Sequence, residues 1–226
     1  MSPTRNHVYE STRDFFGGLV TERLPRLGPV LGALRPRRWA LGNWLCHALL
    51  MEVWVEDSAT VDVDGNLYRR IGSGWATGGR KNGADGARGW PRAGGSGYQN
   101  VRDAKLPVRI YVRWQSVVEP QTYQGWIEIP ESARQVMRKS LTNNCPEYPE
   151  IKEFRRGVPV RFGLAPGGVV QVWVEDECMN LVKVARGQAE IEPKGPYLGQ
   201  SGGHYYPQTE SSKRYVEQYG IPYGSW

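Results

Sequence analysis

The sequence predicts an all-β fold, mainly antiparallel and sandwich-like, with one or two short helices. Three observations carry that expectation. First, Glu52-Val53-Trp54-Val55-Glu56-Asp57 recurs nearly intact as Gln171-Val172-Trp173-Val174-Glu175-Asp176. In each copy the valines alternate with polar or aromatic residues, and a period of two puts the valines on one face of a strand. Second, about eight alternating runs follow one another at short spacing, as in sandwiches. Third, 28 glycines and 16 prolines in 226 residues predict many turns and few long helices.

The elements follow in order. Residues 1–45 read as a lead-in of unassigned structure, and 46–226 as a single β-rich domain. Arg35-Pro36-Arg37-Arg38 followed by the apolar Trp39–Cys46 has the order of an export signal. It starts too far into the chain, however, and Asn43 and His47 interrupt it. Asn43-Trp44-Leu45 also lacks the small residues of a lipoprotein cleavage site before Cys46. Residues 51–63 are strand-like. Asp64-Gly65 then predicts a type I′ hairpin turn, and Leu67-Tyr68 the return. Asp62–Asn66 resembles part of a calcium loop, but Ser73 stands where the glutamate of that loop belongs.

Residues 72–98 are different, with ten glycines between 72 and 97. Among them lie Trp75, Arg80, Lys81, Arg88, Trp90 and Arg92, with Asp85 as the acid. The composition predicts a long loop, read as a disordered insertion, as a recognition loop that orders on a partner, or as a seat for single-stranded nucleic acid on its Trp/Arg combination. It matches no phosphate loop or dinucleotide fingerprint.

The clearest hairpin runs from Leu106 to Ile129. Ile110, Val112 and Trp114 share one face and Arg109, Tyr111, Arg113 and Gln115 the other. Glu119-Pro120-Gln121 turns the chain, and Tyr123, Ile127 and Ile129 return on one side. A short helix is expected over 131–139, with Ala133, Val136 and Met137 inward, then a loop over 140–157. Residues 158–164 pair with 169–175 across Ala165-Pro166-Gly167-Gly168. One or two strands follow at 181–185 and 189–191, then a Gly/Pro/Tyr loop at 193–208. A last helix is capped by Thr209 and closed by Gly220.

Charge and cysteines bound the chemistry. The net charge is +6, yet seven Arg/Lys against three Asp/Glu fall in residues 1–50, leaving twenty-two against twenty in the remainder. A nearly balanced body argues against nucleic acid as a partner. Cys145 and Cys178 can form a disulfide, with Cys46 left over. No cysteine has metal-ligand spacing and the histidines are three (His7, His47, His204), so neither metal nor cofactor is expected.

Catalytic patterns are weak. Gly199-Gln200-Ser201-Gly202-Gly203 fits the Gly-x-Ser-x-Gly pattern, but prolines and glycines flank it where a strand and a helix are required. Glu128 with Glu131, or Glu175 with Asp176 and Glu177, could serve a glycosidase only across a cleft. No enzyme activity is expected. The tryptophans on the polar faces of the two hexamers are either covered by other chain or turned toward a partner.

Three stretches carry a resemblance: Leu106–Tyr123 (LPVRIYVRWQSVVEPQTY), Leu164–Val170 (LAPGGVV) and Tyr215–Trp226 (YVEQYGIPYGSW). They resemble an uncharacterised DUF-type family of proteobacterial envelope lipoproteins, over most of the chain from about Trp44 onward. The resemblance implies a neighbour of type VI secretion lipase effectors and an immunity protein. Such a protein binds a cognate phospholipase effector stoichiometrically in the periplasm and occludes it, with peripheral membrane association only if lipidated. The partner-binding residues expected are Trp75, Arg80, Lys81, Arg88, Trp90 and Arg92, joined by Trp54 and Trp173 if uncovered. The rival is a carbohydrate-binding envelope module, which coplanar, exposed Trp54 and Trp173 would favour.

Overall fold

The computed structural model describes residues 41–76, 78, 83–91, 96–101, 103–149 and 157–226. They form two sheets rich in antiparallel pairs. Sheet I has the order β10-β9-β8-β1-β5, from β1 (Leu41–His47), β5 (Ser96–Val101), β8 (Val158–Ala165), β9 (Val169–Glu175) and β10 (Leu181–Gln188). Sheet II has the order β11-β7-β6-β2-β3, from β2 (Val53–Asp62), β3 (Leu67–Arg69), β6 (Pro107–Ser116), β7 (Gln121–Glu128) and β11 (Glu190–Ile191). A two-residue strand, β4 (Gly74–Trp75), also pairs with β2. Helices α1 (Glu131–Thr142) and α2 (Glu210–Tyr219) complete the fold. The fold is all-β and sandwich-like, as the alternation predicts.

The core lies between the sheets. Val53, Val55, Ile110, Val112, Trp114 and Ile127 of sheet II meet Val160, Phe162, Leu164, Val170, Val172 and Val174 of sheet I, and α1 adds Ala133 and Met137. The two tryptophan hexamers therefore serve different sheets, β2 in one and β9 in the other. All four of their valines are fully buried in the shared core. Each such side chain contributes about 1.5–3 kcal/mol on leaving water.

The phase of β2 changes midway. The register slips between Val55 and Asp57, so that Val55 faces Trp114 but Ser58 faces Val112 and Thr60 faces Ile110. One extra residue at Glu56 makes a bulge, and the inward positions move from 53 and 55 to 58 and 60. The buried hydroxyls are satisfied locally. Ser58 Oγ donates to Gly72 O at 2.5 Å, and Thr60 Oγ1 donates to Arg109 O at 3.2 Å.

The turn after β2 corrects the type I′ expectation. That type needs positive φ at both central residues, yet Gly65 has φ 83° and Asp64 is not in that region. Asp62 builds the turn instead. Its carboxylate accepts from the backbone of Asp64 (3.0 Å), Asn66 (2.9 Å) and Lys105 (3.2 Å), from Asn66 Nδ2 (3.2 Å) and from the Tyr68 hydroxyl (3.1 Å). Burial pushes its pKa up, but these bonds outweigh it and hold the pKa below the usual aspartate value. A depressed folded-state pKa gives stability that is present above the unfolded value and lost as pH falls through the folded one. Urea midpoints measured from pH 6 downward are expected to fall below about pH 4. Asp62→Asn is expected to remove part of that dependence and about 1–3 kcal/mol at neutral pH.

The hairpin β6–β7 has the faces its alternation predicts, with Ile110, Val112, Trp114, Tyr123 and Ile127 buried. Helix α1 runs three residues past the expected end at 139. Helix α2 is capped by Thr209, whose hydroxyl accepts from Ser212 N at 3.3 Å, and is closed at Gly220 (φ 70°). A disulfide joins Cys145 to Cys178.

Two regions depart from the sequence reading. Residues 41–45, read within the lead-in, are part of β1, which lies parallel to β8. The 72–98 stretch, read as a loop, contains β4, a 3-10 turn at Ala84–Ala87 and the first part of β5. Backbone hydrogen bonds to the edges of β2 and β1 place these strands, and glycine does not prevent such pairing.

Candidate partner-binding site

The outer face of sheet II carries an aromatic cluster. Trp54 projects there between Glu52 and Glu56, opposite its core-facing valine neighbours. Its ring meets Trp75 edge-on, with centroids 5.3 Å apart and planes at 79°, and meets Tyr206 at 4.5 Å. Trp75 and Tyr206 close the triangle at 5.2 Å. Pairing of β4 with β2 sets Trp75 directly beside Trp54. Trp54 is half-buried, whereas Trp75 is 45% exposed and forms the open side of the cluster.

Glu56 anchors the element that supplies Tyr206. Its side chain is fully buried on the same face, where Arg113 Nε donates to it at 2.8 Å and Gln115 Nε2 at 2.9 Å. Tyr197 N donates to the same carboxylate at 2.8 Å, and Tyr206 N donates to Gln115 Oε1 at 3.3 Å. Glu192 N bonds Thr122 O at 2.9 Å, and Thr209 N bonds Glu52 at 3.0 Å. Residues 192–209 are thus a strap laid across the polar face of β2, β6 and β7. The Tyr197 hydroxyl lies 3.2 Å from that of Tyr206. Burial, then this neighbouring hydroxyl, pushes its pKa up to about 12, so it stays protonated.

Beyond the strap the face is open. Trp126, 40% exposed, packs on Tyr111 at 5.4 Å, and the Arg109 guanidinium sits 4.6 Å over its ring. Trp75, Tyr206, Tyr111, Trp126 and Arg109 are the kinds of side chain that anchor protein interfaces.

The second hexamer is placed differently. Trp173 projects from the outer face of sheet I but is 7% exposed, because Trp90 packs edge-on against it at 5.2 Å and 83°. Gly163 makes room for this pair. A Cβ there would lie 2.4 Å from the Trp90 ring and 2.7 Å from Trp173. Arg161 pairs with Glu175 at 2.9 Å on the same face. Cys46 of β1 is buried beside them. Burial pushes its thiol up to about 12 against the pull of Arg161, which leaves it a poor nucleophile.

The predicted residues therefore separate. Trp54 and Trp75 come together on sheet II, and Trp90 and Trp173 on sheet I. Arg88 is exposed and pairs with Asp85 at 3.4 Å. Arg80, Lys81 and Arg92 lie outside the described residues. Sequence reasoning missed Tyr206, Trp126, Arg109 and the strap, since nothing local marks which loop crosses which face. Ser201 sits in a turn and donates to Pro196 O at 3.3 Å, without the strand–helix elbow of hydrolase nucleophiles. Among the described residues no group of three metal-type ligands occurs, and no helix is long and apolar enough to cross a membrane.

The three stretches quoted for the resemblance meet at one carboxylate. Glu119 Oε1 accepts from Tyr123 OH at 3.2 Å, Gly167 N at 2.9 Å and Tyr223 OH at 2.7 Å. Burial, then bonding to Glu119, pushes the Tyr223 hydroxyl up to about 12. A model of a family described as a protein of unknown function, DUF2931, matches residues 39–224. The chain belongs to the DUF2931 family. No curated protein and no solved structure matches it. The DUF2931 match begins at residue 39 and so takes in β1. It also takes in the whole sheet II face.

Proposed function

We propose that this DUF2931 protein is a stoichiometric binding protein of the immunity type, which caps a cognate type VI secretion effector, a phospholipase, in the periplasm. The observation that carries the reading is the open aromatic face of sheet II. There Trp75 and Trp126 stand 45% and 40% exposed beside Tyr206 and Arg109. Large aromatics and arginine held in place by buried neighbours lose little entropy on binding and dominate interface energetics. The resemblance of the three stretches supports the kind of partner. The Cys145–Cys178 disulfide supports an oxidising compartment. Lipidation at Cys46 is disfavoured in this fold, since the thiol is buried within β1.

The test is copurification with the product of the neighbouring gene, followed by lipase assays with increasing amounts of this protein. Inhibition is expected to saturate near one equivalent. Trp75→Ala and Trp126→Ala are each expected to raise the inhibition constant roughly 30-fold or more, the effect of losing a hot-spot residue. An effector that stays active in excess protein overturns the reading.

A carbohydrate-binding module is less well supported. Trp54 and Trp173 lie in different sheets, and Trp173 is covered. The two rings therefore offer no common platform to a sugar chain.

A further inference from the structure

The strap over sheet II contains a turn, Pro196–Gly199, in left-handed backbone. Tyr197 (φ 50°, ψ 37°) and Leu198 (φ 56°, ψ 37°) both adopt it, and Gly199 (φ 88°) continues it. Residues other than glycine enter that region singly and at a cost. Tyr197 and Leu198 are the one adjacent pair of such residues among those described. The surroundings hold the turn firmly. Pro196 is buried, Tyr197 N donates to Glu56 at 2.8 Å, Gln200 N to Tyr197 O at 3.2 Å and Ser201 Oγ to Pro196 O at 3.3 Å.

Tyr197 has a use for this conformation, since its hydroxyl lies 3.2 Å from that of Tyr206. Leu198 has no matching use inside the fold. It packs in neither core cluster and stands 42% exposed. Strain of this kind persists only where the surroundings over-determine it, and it gathers at recognition sites. The chemistry around the leucine is also one-sided. Residues 193–208 hold no Asp or Glu, Gly195 and Gly199 flank the turn, and Gly202 and Gly203 follow. A branched apolar side chain thus stands on a narrow turn with few side chains beside it. It can enter a slot without a charge to desolvate. Through Tyr197 and Tyr206 the turn adjoins the Trp54–Trp75 cluster.

We propose that Leu198 is a preformed knob that enters an apolar slot of the partner. In the lipase of the immunity reading, on which this inference rests, that slot is the one that holds the substrate's acyl chain. A lipase must keep an aliphatic chain out of water beside the ester it cleaves, and an aliphatic side chain matches that slot in chemistry. A turn fixed in advance leaves little entropy to lose on binding.

The experiment titrates the lipase product of the neighbouring gene with the full chain. It reads Kd by calorimetry and inhibition of p-nitrophenyl butyrate hydrolysis. The parent is expected to inhibit competitively with the ester. Leu198→Ala and Leu198→Gly are each expected to raise Kd about tenfold or more, and Leu198→Asp further. Leu198→Met keeps volume and apolar character and is expected to stay within about threefold. Decanoate, which can fill an acyl slot by itself, is expected to weaken binding of the parent and to leave that of the glycine variant unchanged. Urea unfolding separates recognition from folding. The glycine variant is expected to have a higher midpoint than the alanine variant, because both lack the side chain and glycine alone relieves the left-handed backbone. A parent that neither binds nor inhibits overturns the immunity reading and this inference with it. Where the parent inhibits, the reading stands, and three results overturn the knob alone: alanine, glycine and aspartate variants that bind as the parent does; decanoate that weakens parent and glycine variant alike; or a glycine midpoint below that of alanine.

Discussion

Replacing Glu56 with alanine is expected to lower stability by about 3–5 kcal/mol, the cost of removing one partner from a buried ion pair. The carboxylate is fully buried and receives three bonds, from Arg113, Gln115 and the backbone of Tyr197, all within 2.9 Å. Without it, the Arg113 guanidinium stays largely buried beside a void with no counter-charge. The loss also reaches the site. Tyr197 and Tyr206 are held by the Glu56–Gln115 pair, so releasing them loosens the 192–209 strap and uncovers Trp54. Urea unfolding is expected to show a lower midpoint at an unchanged slope. Native-state proteolysis within 193–208 is expected to accelerate, because local opening there becomes easier. Glu56→Gln keeps the volume and can still accept from Tyr197, so it is expected to fall between the two. A loss below about 1 kcal/mol for the alanine variant would show the network to be screened as a surface pair is. The strap would then be held by Thr122, Gln208 and Glu52 instead.

The Glu56 network also marks the boundary of what the chain discloses before folding. The valines of both hexamers and the faces of β6 and β7 were legible, because side-chain direction in a strand is set by a local period of two. The bulge at Glu56 was not, since Asp57 interrupts the apolar phase of Val53 and Val55 but Ala59 and Val61 resume it, so the run reads as one unbroken strand. Which sheet each hexamer joins was likewise hidden, as pairing partners such as β1 and β8 lie over a hundred residues apart. The candidate site divides the same way. Trp54 and Trp75 could be singled out as aromatics in polar surroundings. Tyr206 and Trp126 could not, because their importance arises from where the strap stops and the open face begins. The glycine-rich stretch misled for a related reason: its few side chains carry no pattern, yet its backbone groups complete the edges of β2 and β1.

Opening the Cys145–Cys178 disulfide is expected to be the other large loss, about 3–4 kcal/mol by the loop-closure relation for cysteines 33 residues apart. The bond fastens the chain just after α1 to the turn between β9 and β10. Ser140 Oγ also joins those elements, donating to Asp176 O at 3.2 Å. Within the turn, Asp176 holds Cys178 N and Asn180 N, each at 2.8 Å, so the turn keeps its shape when the bond is opened. The effect therefore falls on the unfolded chain, which gains freedom, more than on the folded one. For a domain of this size the midpoint of thermal unfolding is expected to drop by roughly 6–16 °C in Cys145→Ser/Cys178→Ser or under reductant. Trp75, Tyr206 and Trp126 lie outside the cross-linked segment and on the other sheet. Partner binding at 20 °C is thus expected to stay within about threefold of the parent. An unchanged midpoint would show that the cross-link does not constrain the unfolded chain. A parallel loss of binding and stability would show that the sheet II face depends on the loop between the cysteines. The expected split separates stability, which draws on the cross-link, from recognition by the aromatic face, as the proposed immunity role requires.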